Sequence, residues 1–185
     1  MIDSLVHYLR QIDQKPAFDM HSIGLNGDPF VLATLHRPSN VDSPEKFGEI
    51  INLLNSVATS HKVVFPVHPR TRRNLTDFKL EDQIHENIHL CEPLGYIDFI
   101  SLVQKAELVL TDSGGIQEET TYLGVQCITL RDSTERPVTV EIGTNQLLGE
   151  NLDLAGEAAR RVLHGEKKNG SIPDLWDGKA AERVA

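Results

Sequence analysis

One stretch of the sequence, residues 108–137, constrains the possible fold more than any other part of the chain. It contains an apolar run at 108–110, a glycine turn at 113–115, a helix-forming segment at 116–123 and a second apolar run at 125–130. A strand, a glycine turn, a helix and another strand form the unit from which parallel sheets are built. The stretch therefore predicts an α/β fold.

The same alternation of apolar runs and helical patterns continues along the whole chain. Further strands are predicted at residues 30–35, 62–67, 87–91 and 144–148. Helices are predicted at residues 1–11, 44–57, 96–105, 152–164 and 178–185, with a connecting loop at 14–29. Continuous apolar strands alternating with helices are typical of a parallel sheet that is covered on both faces. We therefore expect one Rossmann-like domain with three α/β/α layers over residues 1–185.

The composition excludes several classes of function. The formal net charge of −9 argues against nucleic acid or an anionic membrane as the partner, since both select a basic surface. The chain shows no signal peptide and no run near the ~20 apolar residues of a membrane span. Its two cysteines, Cys91 and Cys127, are predicted to be buried thiols, which favours a reducing compartment, the cytoplasm.

The glycine turn has the chemistry of an anion-binding site. Ser113 can cap the following helix, and Gly114 and Gly115 let a ligand approach the backbone N–H groups at the positive end of the helix dipole. In parallel sheets, ligands bind beyond the carboxyl ends of the strands. The loops at those ends are residues 36–37, 68–70, 92–93, 112–115 and 131–136, and three of them carry Arg or His. A tight turn without a ligand is the alternative interpretation.

Two charged residues fit a nucleotide diphosphate. Glu119 could accept hydrogen bonds from both hydroxyls of a ribose, as an acidic residue does in dinucleotide-binding domains. Alternatively, Glu118 and Glu119 form a solvated first helical turn. Arg136 could bind a phosphate through two hydrogen bonds, or it could form a surface salt bridge of little energetic weight.

Other sites are disfavoured. A serine hydrolase requires a G-x-S-x-G turn, whereas Asp112 precedes Ser113. His85 and His89 have the spacing of a helical metal pair, but their segment indicates a loop entering a strand, and no third ligand is near. We expect no metal. We interpret the basic cluster Arg70, Arg72 and Arg73 as part of a solvated loop.

The motifs together resemble a known family. TDSGGIQEE at 111–119, followed by LG at 123–124 and RDSTERP at 131–137, with HR at 36–37 and PVH at 66–68, is similar to the non-hydrolysing UDP-N-acetylglucosamine 2-epimerases. That family has two Rossmann-like domains facing a cleft, the GT-B arrangement, and nearly the whole chain resembles the second. The resemblance implies a hinge-side helix at 1–12, a truncated closing helix at 174–185 and a missing N-terminal domain.

The resemblance also implies that this half binds UDP without a cofactor. Its substrate-binding residues would be Phe99 at the uracil, Ser113, Gly114 and Gly115 at the phosphate, Glu119 at the ribose and Arg136 at the diphosphate. His36 would assist catalysis at the diphosphate. The family's reaction inverts C2 of the sugar by eliminating and re-adding UDP, a step of polysaccharide biosynthesis, and its main acid and base groups would lie in the missing domain.

Regulation and assembly follow from the same resemblance. Arg37 and His68 match positions that touch an activating second UDP-sugar in bacterial members, and the full enzyme would be a homodimer. The family's His-Arg-Arg-Glu is here His-Arg-Pro-Ser at 36–39, so that a proline stiffens this loop. Two alternatives remain open, the C-terminal domain of a GT-B glycosyltransferase and a non-catalytic nucleotide-binding module.

Overall fold

The structure, a computed structural model, describes residues 1–12, 19–25, 27–149 and 151–184. Six strands in these residues form one sheet, and every neighbouring pair is parallel. The strands are β1 (Phe30–Thr34), β2 (Lys62–Pro66), β3 (Ile88–Cys91), β4 (Leu108–Thr111), β5 (Gln126–Thr129) and β6 (Asn145–Leu147). The sequence predicted each of them to within two residues at either end.

The strand order is β3-β2-β1-β4-β5-β6, which confirms the Rossmann-like prediction. The chain winds outward from β1 to β3, returns to lay β4 beside β1, and then winds outward in the opposite direction. In the β1–β4 register, Val31 lies opposite Leu108 and Thr34 opposite Thr111. Because both strands end together, the loops that follow them lie side by side at the point where the winding reverses.

Helices cover both faces of the sheet. The longer ones are α1 (Ile2–Ile12), α3 (Pro44–Ala58), α4 (Pro69–Asp77), α5 (Tyr96–Lys105), α6 (Gly114–Leu123) and α8 (Leu152–Leu163). The shorter ones are α2 (Pro38–Val41), α7 (Pro137–Glu141) and α9 (Ala180–Val184). None of the helices in the described ranges is both long and apolar enough to cross a membrane.

The alternation of side chains along the strands divides the core into two layers. Val31 and Ala33 pack with α3, α4 and α8 on one face, whereas Leu32 packs with α5 and α6 on the other. The central strands are therefore buried on both sides, as their continuous apolar runs predict. This arrangement confirms the three α/β/α layers.

Helix α3 forms where the sequence predicts it. Ser43 caps it by accepting a hydrogen bond of 3.2 Å from the backbone N–H of Lys46, and Pro44 occupies its first turn. Its apolar residues recur at helical spacing on one face. All five residues of this apolar face are buried, and they are Phe47, Ile50, Ile51, Leu54 and Val57.

Proline starts three helices at the carboxyl edge of the sheet, within or directly after the predicted loops at 36–37, 68–70 and 131–136. Helix α2 follows Arg37, α4 follows His68 and α7 follows Arg136, each with a proline in its first turn. Proline is pre-organised for that position because its φ is fixed near the helical value. The interpretation of the basic cluster as a loop was wrong, since α4 contains all three arginines, Arg70, Arg72 and Arg73.

The predicted terminal helices differ in how well they are anchored. Helix α1 packs outside α5 and α6, where Ile2 and Leu5 are buried against Ile100. Helix α9 is shorter than the predicted 178–185, and no residue in the part that the structure describes is buried. Ala185 lies outside the described residues.

The predicted loop at 14–29 is partly helical. Residues 20–23 form a turn of 3-10 helix, which Asp19 caps by accepting a hydrogen bond of 3.0 Å from the backbone N–H of His21. Residues 13–18 and 26 lie outside the described ranges. The predicted burial of both thiols holds for Cys127 but not for Cys91, which is half-buried. Burial raises the pKa of the Cys127 thiol to about 11, which leaves it unreactive.

Candidate functional site

The glycine turn between β4 and α6 forms the centre of the site. Ser113 occupies the cap position, but its side chain accepts no hydrogen bond from the helix, so the predicted cap is wrong in this respect. The ends of two flexible side chains crowd the turn. Glu135 Oε1 lies 2.5 Å from where a Cβ would stand on Gly114, and Met1 Sδ lies 2.9 Å from that position on Gly115. Glycine thus lets other groups approach the first N–H groups of α6.

A buried carboxylate joins the turn to the loop after β1. Asp112 is fully buried, and it accepts hydrogen bonds from the backbone N–H groups of His36, at 3.1 Å, and Arg37, at 2.9 Å. It also accepts one of 3.1 Å from the side-chain amide of Asn40. The imidazole Nδ1 of His36 lies 3.2 Å from Asp112 Oδ1. One side chain therefore fixes both loops at the reversal of the sheet.

Two guanidinium groups and one carboxylate meet in front of the glycine turn. Arg131 Nη2 lies 2.7 Å from Glu135 Oε2, and Arg37 Nη2 lies 3.8 Å from Glu135 Oε1. The hydrogen bond from Arg131 is the main cause that lowers the pKa of Glu135 to about 2. A carboxylate of the chain itself thus lies at Gly114 and contacts two guanidinium groups.

The loop before α7 holds Arg136 at the edge of this site. Its backbone N–H donates a hydrogen bond of 3.0 Å to the hydroxyl of Thr134, and its carbonyl oxygen accepts one of 2.8 Å from the hydroxyl of Thr139. The guanidinium Nε lies 3.1 Å from Glu118 Oε2. The predicted ion pair of Arg136 is therefore present, with Glu118 as the partner, but its two paired atoms are buried and do not lie on the surface.

An apolar cavity of about 420 Å³ lies on the other side of the turn. It is lined by Phe99, Tyr96 and Glu119 together with residues of α1. The Tyr96 hydroxyl donates a hydrogen bond of 2.8 Å to Glu119 Oε1. The ring of Tyr8 contacts that of Tyr96 edge-on, with centroids 5.0 Å apart. Phe99 and Glu119, predicted to hold a base and a ribose, thus line one cavity.

Burial controls the acidity of this tyrosine–glutamate pair. Only 5% of Glu119 is exposed, and burial raises the pKa of its carboxyl, while the hydrogen bond from Tyr96 lowers it in part. Burial also raises the pKa of the Tyr96 hydroxyl, and so does its contact with Glu119. The interpretation of Glu119 as a solvated first-turn residue is wrong, because the residue is buried.

The two predicted allosteric residues lie in separate parts of this edge. Arg37 belongs to the charged cluster at Gly114. His68 caps α4 by accepting a hydrogen bond of 3.3 Å from the backbone N–H of Arg70. It also lines a smaller cavity, of about 170 Å³, together with His36 and Phe99. Arg37 does not line this smaller cavity, so the two predicted allosteric residues share no cavity there.

The histidine pair does not form a metal site. His85 lies in the loop before β3, where its ring accepts a hydrogen bond of 3.1 Å from the backbone N–H of Asn87. His89 lies within β3. Over the described ranges, no group of three or more His, Cys, Asp or Glu residues could hold a metal ion.

The structure brings the predicted site residues to one edge of the sheet, around the start of α6. No sequence pattern singled out Asp112, Tyr96 or Glu135, although each of them contacts a predicted site residue. Asp112 and Glu135 lie within the quoted motifs and next to predicted ligands, so their positions in the loops after β4 and β5 were an available signal. Tyr96 begins a helix 23 residues before Glu119, and no local pattern relates the two.

Comparisons with known proteins identify the family of the chain. The family model described as UDP-N-acetylglucosamine 2-epimerase matches residues 1–185. The enzyme of that name from Methanocaldococcus jannaschii is 43% identical over 161 residues, which are 85% of this chain and 43% of the relative. The UDP-2,3-diacetamido-2,3-dideoxy-D-glucuronate 2-epimerase of Pseudomonas aeruginosa is 40% identical over 167 residues, 88% of this chain and 45% of that protein.

Structural similarity to solved proteins covers the same part of the relatives. The crystal structure of the Methanocaldococcus jannaschii UDP-GlcNAc 2-epimerase in complex with UDP-GlcNAc and UDP matches with a TM-score of 0.84 and 34% identity, over 99% of this chain and 52% of that one. The chain therefore spans about half the length of the relatives it matches. It belongs to the UDP-N-acetylglucosamine 2-epimerase family, and it corresponds to the C-terminal half of these enzymes.

Proposed function

We propose that this chain is the UDP-binding half of an enzyme that interconverts UDP-N-acetylglucosamine and its C2 epimer. The observation that carries the proposal is the pairing of a charged cluster and an apolar cavity on either side of one glycine turn. A nucleoside diphosphate has the same division, with two phosphates at one end and an aromatic base at the other. The solved relative in complex with UDP-GlcNAc and UDP supports this choice of ligand.

The diphosphate would lie at the start of α6. Ser113 offers a hydroxyl that makes no capping hydrogen bond, and Gly114 and Gly115 offer the backbone N–H groups of the first turn of α6. The helix dipole favours negative charge there. Arg136 would bind the same phosphates. We propose that Arg131 joins it, because one of its buried guanidinium nitrogens, Nη1, has no hydrogen-bond partner.

The nucleoside would enter the apolar cavity. Phe99 offers a ring against which the uracil can pack. Glu119 would accept hydrogen bonds from the ribose hydroxyls, because one carboxylate can serve both. Tyr96 already occupies one oxygen of this carboxylate, so the ribose would share it with the tyrosine or displace it.

The catalytic contribution of this half would be electrostatic. Preorganised donors around a departing diphosphate stabilise the charge that develops as the bond to the sugar breaks. His36 would assist at the diphosphate, and the groups that move the C2 proton would belong to the N-terminal half of the enzyme. We further propose a homodimeric, cytoplasmic enzyme, in which Arg37 and His68 contact a second, activating UDP-sugar.

Titration calorimetry with UDP tests the binding role. The wild-type chain should bind UDP, and Arg136→Ala should weaken binding about tenfold, which corresponds to ~1.4 kcal/mol. Arg73→Ala is the matched control, because Arg73 is an exposed arginine on α4, away from the turn. Absence of binding by the wild-type chain, or equal losses in both variants, would refute the assignment.

A related sugar or a different reaction remains the second candidate. The glucuronate 2-epimerase from Pseudomonas aeruginosa is 40% identical to this chain, nearly as similar as the N-acetylglucosamine enzyme of Methanocaldococcus jannaschii. Product analysis with the complete gene product separates the possibilities. A C2 epimer formed from UDP-N-acetylglucosamine supports the proposal, and turnover of only the diacetamido-glucuronate UDP-sugar indicates an epimerase of that related sugar. A transferred sugar indicates a glycosyltransferase, and no turnover of either UDP-sugar indicates a binding module.

A further inference from the structure

We propose that Asp112 is a positioning residue that keeps a proton on Nδ1 of His36, so that Nε2 is the ring nitrogen available to the ligand. The tautomer is a property of the free chain. Its meaning for catalysis rests on the proposed function, because that function brings a diphosphate to His36.

The contacts of Asp112 favour this role. Its side chain is fully buried, whereas that of His36 is 48% exposed, and Nδ1 of the ring lies 3.2 Å from Asp112 Oδ1. The other partners of the carboxylate are all donors, namely the backbone N–H groups of His36 and Arg37 and the amide of Asn40. A carboxylate offers only acceptors. The ring nitrogen that faces it is therefore stabilised when it carries hydrogen.

The consequence for His36 concerns its other nitrogen. In a neutral imidazole one nitrogen donates and the other accepts, and the group bound to the first decides which is which. With the proton held at Nδ1, Nε2 of the neutral ring accepts a proton. The doubly protonated ring can then donate that proton from Nε2 to a diphosphate oxygen. The proton that is exchanged with ligand is thus assigned to one atom.

Asp112 could instead serve only to order the loop after β1, and one substitution separates the two roles. Asparagine at position 112 has nearly the same shape, and its single oxygen can still accept from the backbone N–H of Arg37. Its other terminal group is an NH₂ donor. Facing this donor, Nδ1 of His36 becomes the acceptor and the neutral ring carries its proton on Nε2. A loop-ordering role predicts no such inversion.

The experiment is long-range ¹H–¹⁵N NMR of the imidazole rings in the ¹⁵N-labelled chain, at a pH at which the rings are neutral. The chain has 8 histidines, and the spectrum of His36→Gln identifies the signals of His36. We expect the Nδ1–H form in the wild-type chain and the Nε2–H form in Asp112→Asn. The matched control is Asn40→Ala, which removes another hydrogen bond to the same carboxylate and should retain the wild-type form.

Two results would overturn the proposal. One is an unchanged tautomer in Asp112→Asn, and the other is the same inversion in Asn40→Ala, which would make loop order the cause. Adding UDP distinguishes this proposal from the proposed function. A shift of the His36 Nε2 signal on titration with UDP supports both, whereas tautomer inversion without any response to UDP retains the positioning role and contradicts the binding role.

Discussion

The side-chain oxygen of Gln117 accepts a hydrogen bond of 2.6 Å from the hydroxyl of Thr134. Gln117 is fully buried in α6, and its amide nitrogen donates to the carbonyl oxygen of Ser113 at 3.1 Å. The hydroxyl of Thr134 in turn accepts from the backbone N–H of Arg136 at 3.0 Å. One buried amide therefore connects the glycine turn with the arginine loop on the opposite side of the proposed anion site.

Asn145→Ala should destabilise this connection. Asn145 is fully buried; its amide nitrogen donates to Gln117 and Thr139 at 3.2 and 3.1 Å, and its oxygen accepts from Thr129 at 2.7 Å. Removing it leaves buried polar groups without partners, so we expect a loss of about 2 kcal/mol in the free energy of unfolding. Urea unfolding measures the loss.

The control for that variant is Asn52→Ala, which changes an exposed asparagine of α3. It should alter the free energy of unfolding by no more than about 0.5 kcal/mol. Equal urea midpoints for the two variants would show that the buried connection contributes nothing to stability.

Glu135→Gln should strengthen the binding of UDP. The carboxylate of Glu135 lies at Gly114 and pairs with Arg131 and Arg37, so a diphosphate would have to compete with it. Its pKa of about 2 keeps it charged throughout the neutral range. An exposed ion pair is worth up to about 1 kcal/mol, and calorimetry should therefore show an affinity about three- to fivefold higher at low salt.

The matched control for this competition is Glu141→Gln, which removes an exposed carboxylate at the end of α7. It should leave the affinity unchanged. A weaker affinity in Glu135→Gln would mean that Glu135 supports the binding of the anion.

Glu119→Gln should make the chain more stable at neutral pH while weakening nucleotide binding. Burial raises the pKa of Glu119 above its ordinary 4.5, so the folded chain binds this proton more tightly than the unfolded chain. Stability is therefore lost as the pH rises from 4.5 through the raised value. Glutamine avoids the buried charge and keeps an oxygen for Tyr96.

Thermal unfolding as a function of pH measures this effect. The melting temperature of Glu119→Gln should exceed that of the wild type at pH 7, and the difference should shrink in acid. Glu86→Gln changes an exposed loop residue and should follow the wild-type curve. If Glu119→Gln follows that curve as well, the buried carboxylate has no energetic cost.

Phe47→Ala should lower the free energy of unfolding by about 3–5 kcal/mol, because it removes a large side chain from a closely packed core. Phe47 is fully buried between α3 and the sheet. Leu154→Ala, at a half-exposed position of α8, is the control, and it should cost less than about 1 kcal/mol. Similar losses for both, measured by urea unfolding, would contradict the assigned core.

The sequence predicted the sheet and the larger helices because their burial is periodic. Residues 108–110 are apolar throughout since β4 is covered on both faces, and α3 repeats its apolar residues every three or four positions. The sequence also predicted that His36 and Ser113 lie close together, because parallel strands bring their carboxyl ends to one edge of the sheet. The family resemblance then assigned a ligand to that edge.

The remaining features depend on information that no local pattern carries. Asp112 and His36 are 76 residues apart in the sequence, and only the register of β1 and β4 makes them neighbours. Helix α4 was missed because its nine residues are mostly polar, with Thr71 and Leu75 alone buried. The proline after His68 was the available signal, since proline in the first turn favours a helix start.

Asp112 has one more consequence, which concerns the entropy of binding. Its carboxylate holds the loops after β1 and β4, and Asn40 extends the connection to the residue that follows β5 by donating to the carbonyl oxygen of Leu130 at 2.9 Å. These three segments lose their conformational freedom when the chain folds, before any ligand arrives. A nucleotide that binds here therefore has little backbone left to order, and more of its contact energy appears as affinity. Asp112 thus links the folding of the sheet to the strength of ligand binding.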